Sequence, residues 1–345
     1  MSTELIVHRA GPGVTVQDLG RPGYLRFGLS RGGAADRLAL HEGAALLGQP
    51  VMAALELAGM GGEFEATADT RIALTGATMS ASIDGDRIAW NACHALPRGA
   101  RLTIGAVERG SYGYLSLGGG IATEDRLGAR SAHLAAGLGA PVEPGTALPL
   151  GDDPRAGVTN LTLTPEPRFE GGTLRVVPSL QTEFFPEDER RRFEETPFKR
   201  DSRANRMGVR MVPDGPGFES EAGLSVLSEV IVPGDIQVTG DGTPFVLMSE
   251  SQTTGGYPRI GTVLPCDLPR AAQAPAGATI RFRFLTLEDA AEVEARARKA
   301  WTSLRGGIRP LIRRPEDIRD LLSYQLISGV TAGDDLERSL QEEEA

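Results

Sequence analysis

Apolar residues recur along this chain in short runs punctuated by glycine: "ELIVH" (4–8), "TRIALTG" (70–76), "MSASID" (79–84), "RLTIGAV" (101–107) and "YGYLSLGGG" (112–120). Their length and punctuation predict strands of an antiparallel barrel or sandwich. One helix is predicted among them, "AADRLALHEGAALLG", where Ala35, Leu38, Ala39, Leu46 and Leu47 share a face and Gly48 supplies the stop. A polar, proline-spaced stretch at 151–172 separates this first half from a second that begins at "TLRVVP". There a short charged helix, "PEDERRRFEE", is expected with Pro186 in its first turn, followed by the strands "EVIVPG", "DIQVTG", "PFVLMS" and "ATIRFRFL".

Thr286 followed by Asp289 reads as a capping box for a further helix, "LEDAAEVEARARKAWTSL", and "PEDIRDLLSYQLIS" reads as another. The acidic "DDLERSLQEEEA" reads as a solubilising tail. The division expected is therefore a β-rich half over 1–165, a β-barrel half over 170–290 and a helical extension with an acidic tail over 291–345. "RIALTG…DG…LPRGARLTI" in the first half echoes "DIQVTGDG…APAGATIRF" in the second, which suggests two related modules with a groove between them.

Composition agrees with many turns between short strands. Glycine contributes 44 and proline 23 of the 345 residues, while the hydrophobic share of 40% is ordinary for a globular protein. The net charge of −10 argues against general nucleic-acid binding, which needs a basic face. Cys93 and Cys266 are far apart with no CxxC pair, so neither a disulfide framework nor a zinc site is indicated. No apolar core of signal-peptide length opens the sequence and no run of about 18 apolar residues occurs, so a cytoplasmic location without membrane partners is expected. GxSxG, HExxH and P-loop motifs are absent, and His8, His41, His94 and His133 are scattered without ligand spacing.

Three polar clusters carry the candidate chemistry. In "VTVQDLGRPGYLRFG", Gln17, Asp18 and Arg21 follow a strand on a glycine-rich turn. Asp18 and Arg21 either brace that turn or present a guanidinium fork to a carboxylate. In "DSRANRMGVRM", Arg203, Arg206 and Arg210 either form an anion site or are solvated surface residues. In "SESQTTGGYPRIG", Gln252, Thr253, Thr254 and Tyr257 bring directional donors and acceptors beside Gly255 and Gly256, which permit close backbone approach. A purely structural turn would not need an amide and a phenol as well.

At these clusters the sequence resembles the allophanate hydrolase subunit 2 family, also called the biotin-dependent carboxyltransferase family. The resemblance rests on "GVTVQDLGRPGYLRFGLSRGGAAD", "LGARSAHLAAGLG", "RMGVRM", "GDIQVTGDGTPFVLMSESQTTGGYPRIGTVLPCDL" and "AQAPAGATIRF", in order from about residue 5 to about residue 285. It departs at Ala129 and Ala132, where the family carries hydroxyl residues, and at Thr243. The resemblance implies a mainly β fold of cyclophilin-like barrel modules with a few helices. It also implies a partner of the subunit 1 family. In the family's 5-oxoprolinase members, the C-type chains, it implies ATP-dependent opening of 5-oxoproline to glutamate beside a B-type chain and a lactamase-like A-type chain.

Related regions transfer a carboxyl group from biotin to urea. This chain has no "MKM" segment for biotin, so biotin would arrive on another polypeptide. A third reading, a regulator that binds a kinase-inhibitor homologue without turnover, follows from other relatives. On the combined reading Gln17, Asp18, Gln252 and Tyr257 are catalytic. Arg21, Arg203, Arg206, Arg210, Gln237, Thr253, Thr254, Gly255 and Gly256 bind the substrate or ATP, and no metal is expected.

Overall fold

A computed structural model describes residues 3–223 and 226–312. They are mainly β, with four α-helices: α1 (Arg37–Leu47), α2 (Glu187–Glu195), α3 (Leu268–Gln273) and α4 (Leu287–Thr302). In the first half one sheet runs through the strands Leu161–Thr162, Ala92–Leu96, Thr70–Ile83, Arg101–Leu117, Met60–Ala66, Glu4–Ala10 and Ala147–Pro149 in that order. The strand Ala54–Ala58 pairs with one end of Arg101–Leu117 and carries Thr15–Gln17 on its other edge.

Glycine punctuation suggests four strands where the structure has two long ones. "TRIALTG" and "MSASID" are one strand of 14 residues, and "RLTIGAV" and "YGYLSLGGG" fall in one of 17. The glycine marks a bulge instead of a turn: Gly76 has φ +74°, and the pairing register shifts between Gly76 and Thr78 and twice more before Ala81.

The second half closes as a seven-stranded barrel in the order Gly172–Val177, Arg259–Val263, Asp235–Val238, Pro244–Leu247, Gly208–Pro213, Phe198–Arg200, Thr279–Phe284, sealed by parallel pairing of the last with the first. α2 is almost wholly charged, yet Phe193 is fully buried and stacks on Phe282 at 4.6 Å, with Phe198 and Phe218 around it. One aromatic plug is enough to hold this helix because burying a phenylalanine is worth roughly 1.5–3 kcal/mol. Pro186 is its N-cap, one position before the first-turn place expected.

α1 is capped by Asp36, whose carboxylate accepts the Ala39 N–H at 3.1 Å, and ends at Gly48 as read from the sequence. The Thr286 cap of α4 also forms, with its hydroxyl accepting from the Asp289 N–H at 3.1 Å. The two halves share a core: Ala35, Ala39, Leu40, Tyr112 and Tyr114 from the first belong to the same buried cluster as Leu174, Ile236, Val246 and Phe282 from the barrel. Met1–Arg309 make up one unit; "PEDIRDLLSYQLIS" and the acidic tail lie outside the described residues. Among the described residues no helix is long and apolar enough to cross a membrane, and no group of three or more His, Cys, Asp or Glu side chains could hold a metal ion.

Candidate functional site

Two kinds of polar interior meet where the halves join. One is a buried charge network. Arg168, 2% exposed, donates to Asp36 at 2.7 Å and, through both terminal nitrogens, to Glu42 at 2.9 and 2.7 Å. Asp36 also accepts from Gln273 at 2.8 Å, and its backbone N–H donates to the Tyr114 hydroxyl at 2.8 Å, which in turn donates to Glu56 at 2.6 Å. Arg206 continues the chain, with Glu56 on one nitrogen, Glu250 at 2.6 Å and the Gly33 carbonyl at 2.6 Å on the others. Burial works to strip the proton from Arg168, but the Asp36 and Glu42 carboxylates outweigh it and hold the guanidinium charged. Arg206 is held the same way by Glu56 and Glu250.

The other is the ridge Ser249–Tyr257, which leaves the network at Glu250. Thr254–Gly255 pairs with Glu229–Val230 in a two-stranded ribbon beside the barrel. Gly255 is required here by proximity, because a Cβ at this position would stand 2.4 Å from the Gln237 side-chain nitrogen. On the barrel side of the ridge lies a cavity of about 300 Å³ walled by Met207, Ile231, Phe245 and Leu247, with Arg203, Asn205, Gln237, Thr239, Ser251, Gln252 and Tyr257 as polar members. Gln237 Nε2 and Ser251 Oγ are buried there without any hydrogen-bond partner.

On the opposite side a cavity of about 480 Å³ shares Met207, Ser251 and Gln252 with the first and adds Ser30, His133, Glu250, Thr253 and Thr254. His133 Nδ1 accepts the Ala136 N–H at 3.2 Å, so the proton of the neutral ring sits on Nε2 and is donated to Ser30 Oγ at 2.8 Å. Ser30 is thus an acceptor toward histidine with its own hydroxyl proton free, the reverse of an activated nucleophile. Burial lowers the His133 pKa, with Glu250 opposing and Arg21 adding to the shift. Glu250 has both oxygens engaged, one by Arg206 and the other by the Leu134 and Ala135 N–H groups at 3.1 and 3.4 Å.

The expected residues therefore separate. Gln237, Gln252, Thr253, Thr254, Gly255, Gly256 and Tyr257 lie on or against the ridge. The arginine loop does not present three free cations: Arg203 pairs with Asp201 at 3.0 Å, Arg210 with Asp201 at 3.0 Å and Asp241 at 3.1 Å, and Arg206 is the network residue above. Arg210 stands in the strand Gly208–Pro213, not on the loop. Asp18 and Arg21 do not pair either. Asp18 accepts the Gly20 and Arg130 N–H groups at 2.8 and 2.7 Å, while Arg21 donates to the backbone carbonyls of Arg126, Ala129 and Ser131. Gln17 is fully buried, with its amide nitrogen on Thr15 Oγ1 and the Ala132 carbonyl.

Ser30, His133 and Ser251 are members of the site that sequence reasoning misses. Ser251 stands inside the quoted ridge motif, so attention to every hydroxyl there would have found it. His133 and Ser30 lack any such signal, because 103 residues separate them.

The family model for the carboxyltransferase domain, subdomain A and B, matches residues 27–284. The chain is 35% identical to the C subunit of 5-oxoprolinase from Escherichia coli over 83% of its length and 93% of that protein, and 32% identical to the C subunit of 5-oxoprolinase from Haemophilus influenzae over 81% and 90%. Urea carboxylase of Kluyveromyces lactis superposes with a TM-score of 0.77 at 26% identity, covering 90% of this chain and 31% of that one, so this chain spans about a third of that larger protein. A matched structure at TM-score 0.73 and 30% identity is spanned over 56% of its length. With a seven-stranded barrel, a ridge that carries the QTTGGYP motif and matches over most of its length, the chain belongs to the carboxyltransferase domain (subdomain A and B) family.

Proposed function

We propose that this chain is the C-type member of a 5-oxoprolinase-type complex, which opens the lactam of 5-oxoproline to glutamate with ATP beside partners of the A and B types. The observation that carries the reading is the QTTGGYP ridge, which brings Ser251, Gln252 and Tyr257 together with Gln237 around one cavity. A lactam is neutral at its reacting amide and presents one acceptor edge and one donor edge. Side-chain amides and hydroxyls, which both donate and accept, suit the two edges of such a group. The two bacterial relatives named as the C subunit of 5-oxoprolinase support the assignment.

ATP supplies the phosphoryl group that activates an unstrained amide oxygen. The residues of this chain do not fit a triphosphate at the arginine loop, since Arg203, Arg206 and Arg210 are all held by carboxylates. The nucleotide therefore belongs on the partner chains in this proposal, and the present chain binds and orients the lactam. Ser30 and His133 line the far cavity as hydrogen-bonding groups, with no base available to make Ser30 a nucleophile.

Carboxyl transfer to urea or another small amide is the second reading, favoured by the family's description and by the urea carboxylase relative. Its biotin would be carried by another polypeptide. The chain purified together with its A- and B-type partners is expected to release glutamate from 5-oxoproline only when all three and ATP are present. Failure to release glutamate, with carboxylation of urea in the presence of a biotinylated partner, would replace the first reading by the second.

A further inference from the structure

The barrel-side cavity is uneven in charge. Arg203 is the one charged residue among those that line it, and no carboxylate shares the lining. Arg203 stands on the loop before the strand Gly208–Pro213, with its side chain 72% exposed. Asn205, two residues on, lines the same cavity. Its Oδ1 accepts the Met207 and Gly208 N–H groups at 2.8 and 3.2 Å, so the N–H side of the amide is the one left free. Both residues therefore offer the cavity donors.

Folding uses only one edge of the Arg203 guanidinium. Asp201 takes Nε at 3.2 Å and Nη2 at 3.0 Å, and Nη1 has no partner among the described residues. A guanidinium carries five N–H groups in a fixed fork, so its Nη1–Nη2 edge still presents two parallel N–H groups, the geometry that a second carboxylate matches. Asp201 does not depend on Arg203 for a counter-charge, because Arg210 donates to the same Oδ2 at 3.0 Å. The exposed Arg203–Asp201 pair adds little to stability, since solvent screens it. It does place the side chain: Asp201 Oδ1 also accepts the Arg203 backbone N–H at 2.8 Å, which ties the guanidinium to its own loop. A triphosphate would need several open edges, and a single carboxylate needs one.

We propose that Arg203 receives the carboxylate of the substrate at the barrel-side cavity and so selects a small anionic lactam over a neutral one. The inference rests on the 5-oxoprolinase reading given above. 5-Oxoproline carries its carboxylate on the ring carbon beside the lactam nitrogen, so a molecule whose amide meets the ridge has a charged group to place in the same cavity. Arg203 is the only cation in the lining to meet it. Urea has no carboxylate, so carboxyl transfer to urea has no use for this group.

The test is steady-state kinetics of the full complex with its A- and B-type partners, comparing the parent with Arg203→Gln. KM for 5-oxoproline is expected to rise about tenfold or more in the variant, with kcat within about threefold of the parent, because the contact is made equally in the ground and transition states. 2-Pyrrolidinone, the same lactam without the carboxylate, should inhibit the parent more weakly than 5-oxoproline binds, and its inhibition should be unchanged in the variant. The variant should melt with the parent, which keeps a structural role out of the readout. Absence of glutamate release by the parent complex would overturn the 5-oxoprolinase reading and this inference with it. Release by the parent with an unchanged KM in Arg203→Gln, with a loss confined to kcat, or with inhibition by 2-pyrrolidinone weakened as much as 5-oxoproline binding, would overturn the inference alone.

Discussion

The charge network is buried and the ridge leaves Gln252, Thr254 and Tyr257 exposed, and the two, joined at Glu250, differ also in how their buried polar atoms are paired. In the network the charges answer one another: Arg168 sits between Asp36 and Glu42, and Arg206 between Glu56 and Glu250. On the ridge and its flanks Gln237 Nε2, Ser249 Oγ and Ser251 Oγ answer nothing. Partnered groups of this kind fix how the two halves meet, and a half-satisfied network would be worse than an apolar core. Unpartnered buried groups give folding no benefit.

Substitutions can break this contrast. Arg168→Met strands two buried carboxylates and is expected to remove about 3–5 kcal/mol of stability in denaturant unfolding, the largest effect foreseen. Arg206→Met should fall at the lower end of that range, because its side chain is 12% exposed and Glu56 keeps the Tyr114 hydroxyl and the Ala35 N–H. An Arg206→Met protein of unchanged stability but abolished turnover would move Arg206 from the network to the site.

Ser251→Ala and Gln237→Leu should do the opposite. Each removes a group with an unpartnered buried atom, so stability is expected to stay within about 0.5 kcal/mol of the parent or to rise. Glutamate release by the reconstituted complex should fall by about tenfold or more. Tyr257→Phe keeps the ring of a residue that is 44% exposed, and a smaller loss of roughly threefold, with an unchanged melting temperature, is expected. Lower stability with normal specific activity in any of these three would erase the distinction between the regions.

How much is legible in the sequence follows the same division. Local signals are readable. The Thr286 cap, the Gly48 stop and the mainly β character come from neighbours in the chain, and the ridge motif announces itself by packing an amide, hydroxyls and a phenol beside two glycines. Pairings across the fold are not readable. Arg206 resembles an anion binder in the sequence because Glu56 lies 150 residues away and Glu250 44 away, and no spacing rule links them. Read from the sequence, the long strands break at Gly76 and after Val107, because a bulge glycine and a turn glycine look alike until the partner strand is known.

His133 stands between the two regions and gives the finest test of the contrast. Its ring is buried and neutral, accepting the Ala136 N–H on Nδ1 and donating from Nε2 to Ser30. Burial lowers its pKa below the ordinary 6.5, Glu250 pulls it back up, and Arg21 and Arg206 push it further down. As pH falls through 6.5 the unfolded chain takes up a proton that folded His133 refuses, so this group's contribution to stability is present above 6.5 and is lost as pH falls toward the folded value. For one proton the slope cannot exceed about 1.4 kcal/mol per pH unit. His41 and His94 are shifted in the same direction by burial, so the informative quantity is the difference between the parent and His133→Gln. Denaturant unfolding at intervals from about pH 7.5 to about pH 5 should show the parent losing stability faster than the variant once the pH drops below the ordinary histidine value. Protonation would also place a hydrogen on Nδ1 against the Ala136 N–H, which adds to the loss in the parent alone. Parallel curves would mean that His133 titrates as freely in the folded protein as in the unfolded chain, and the tautomer that leaves the Ser30 proton free for a ligand would lose its support.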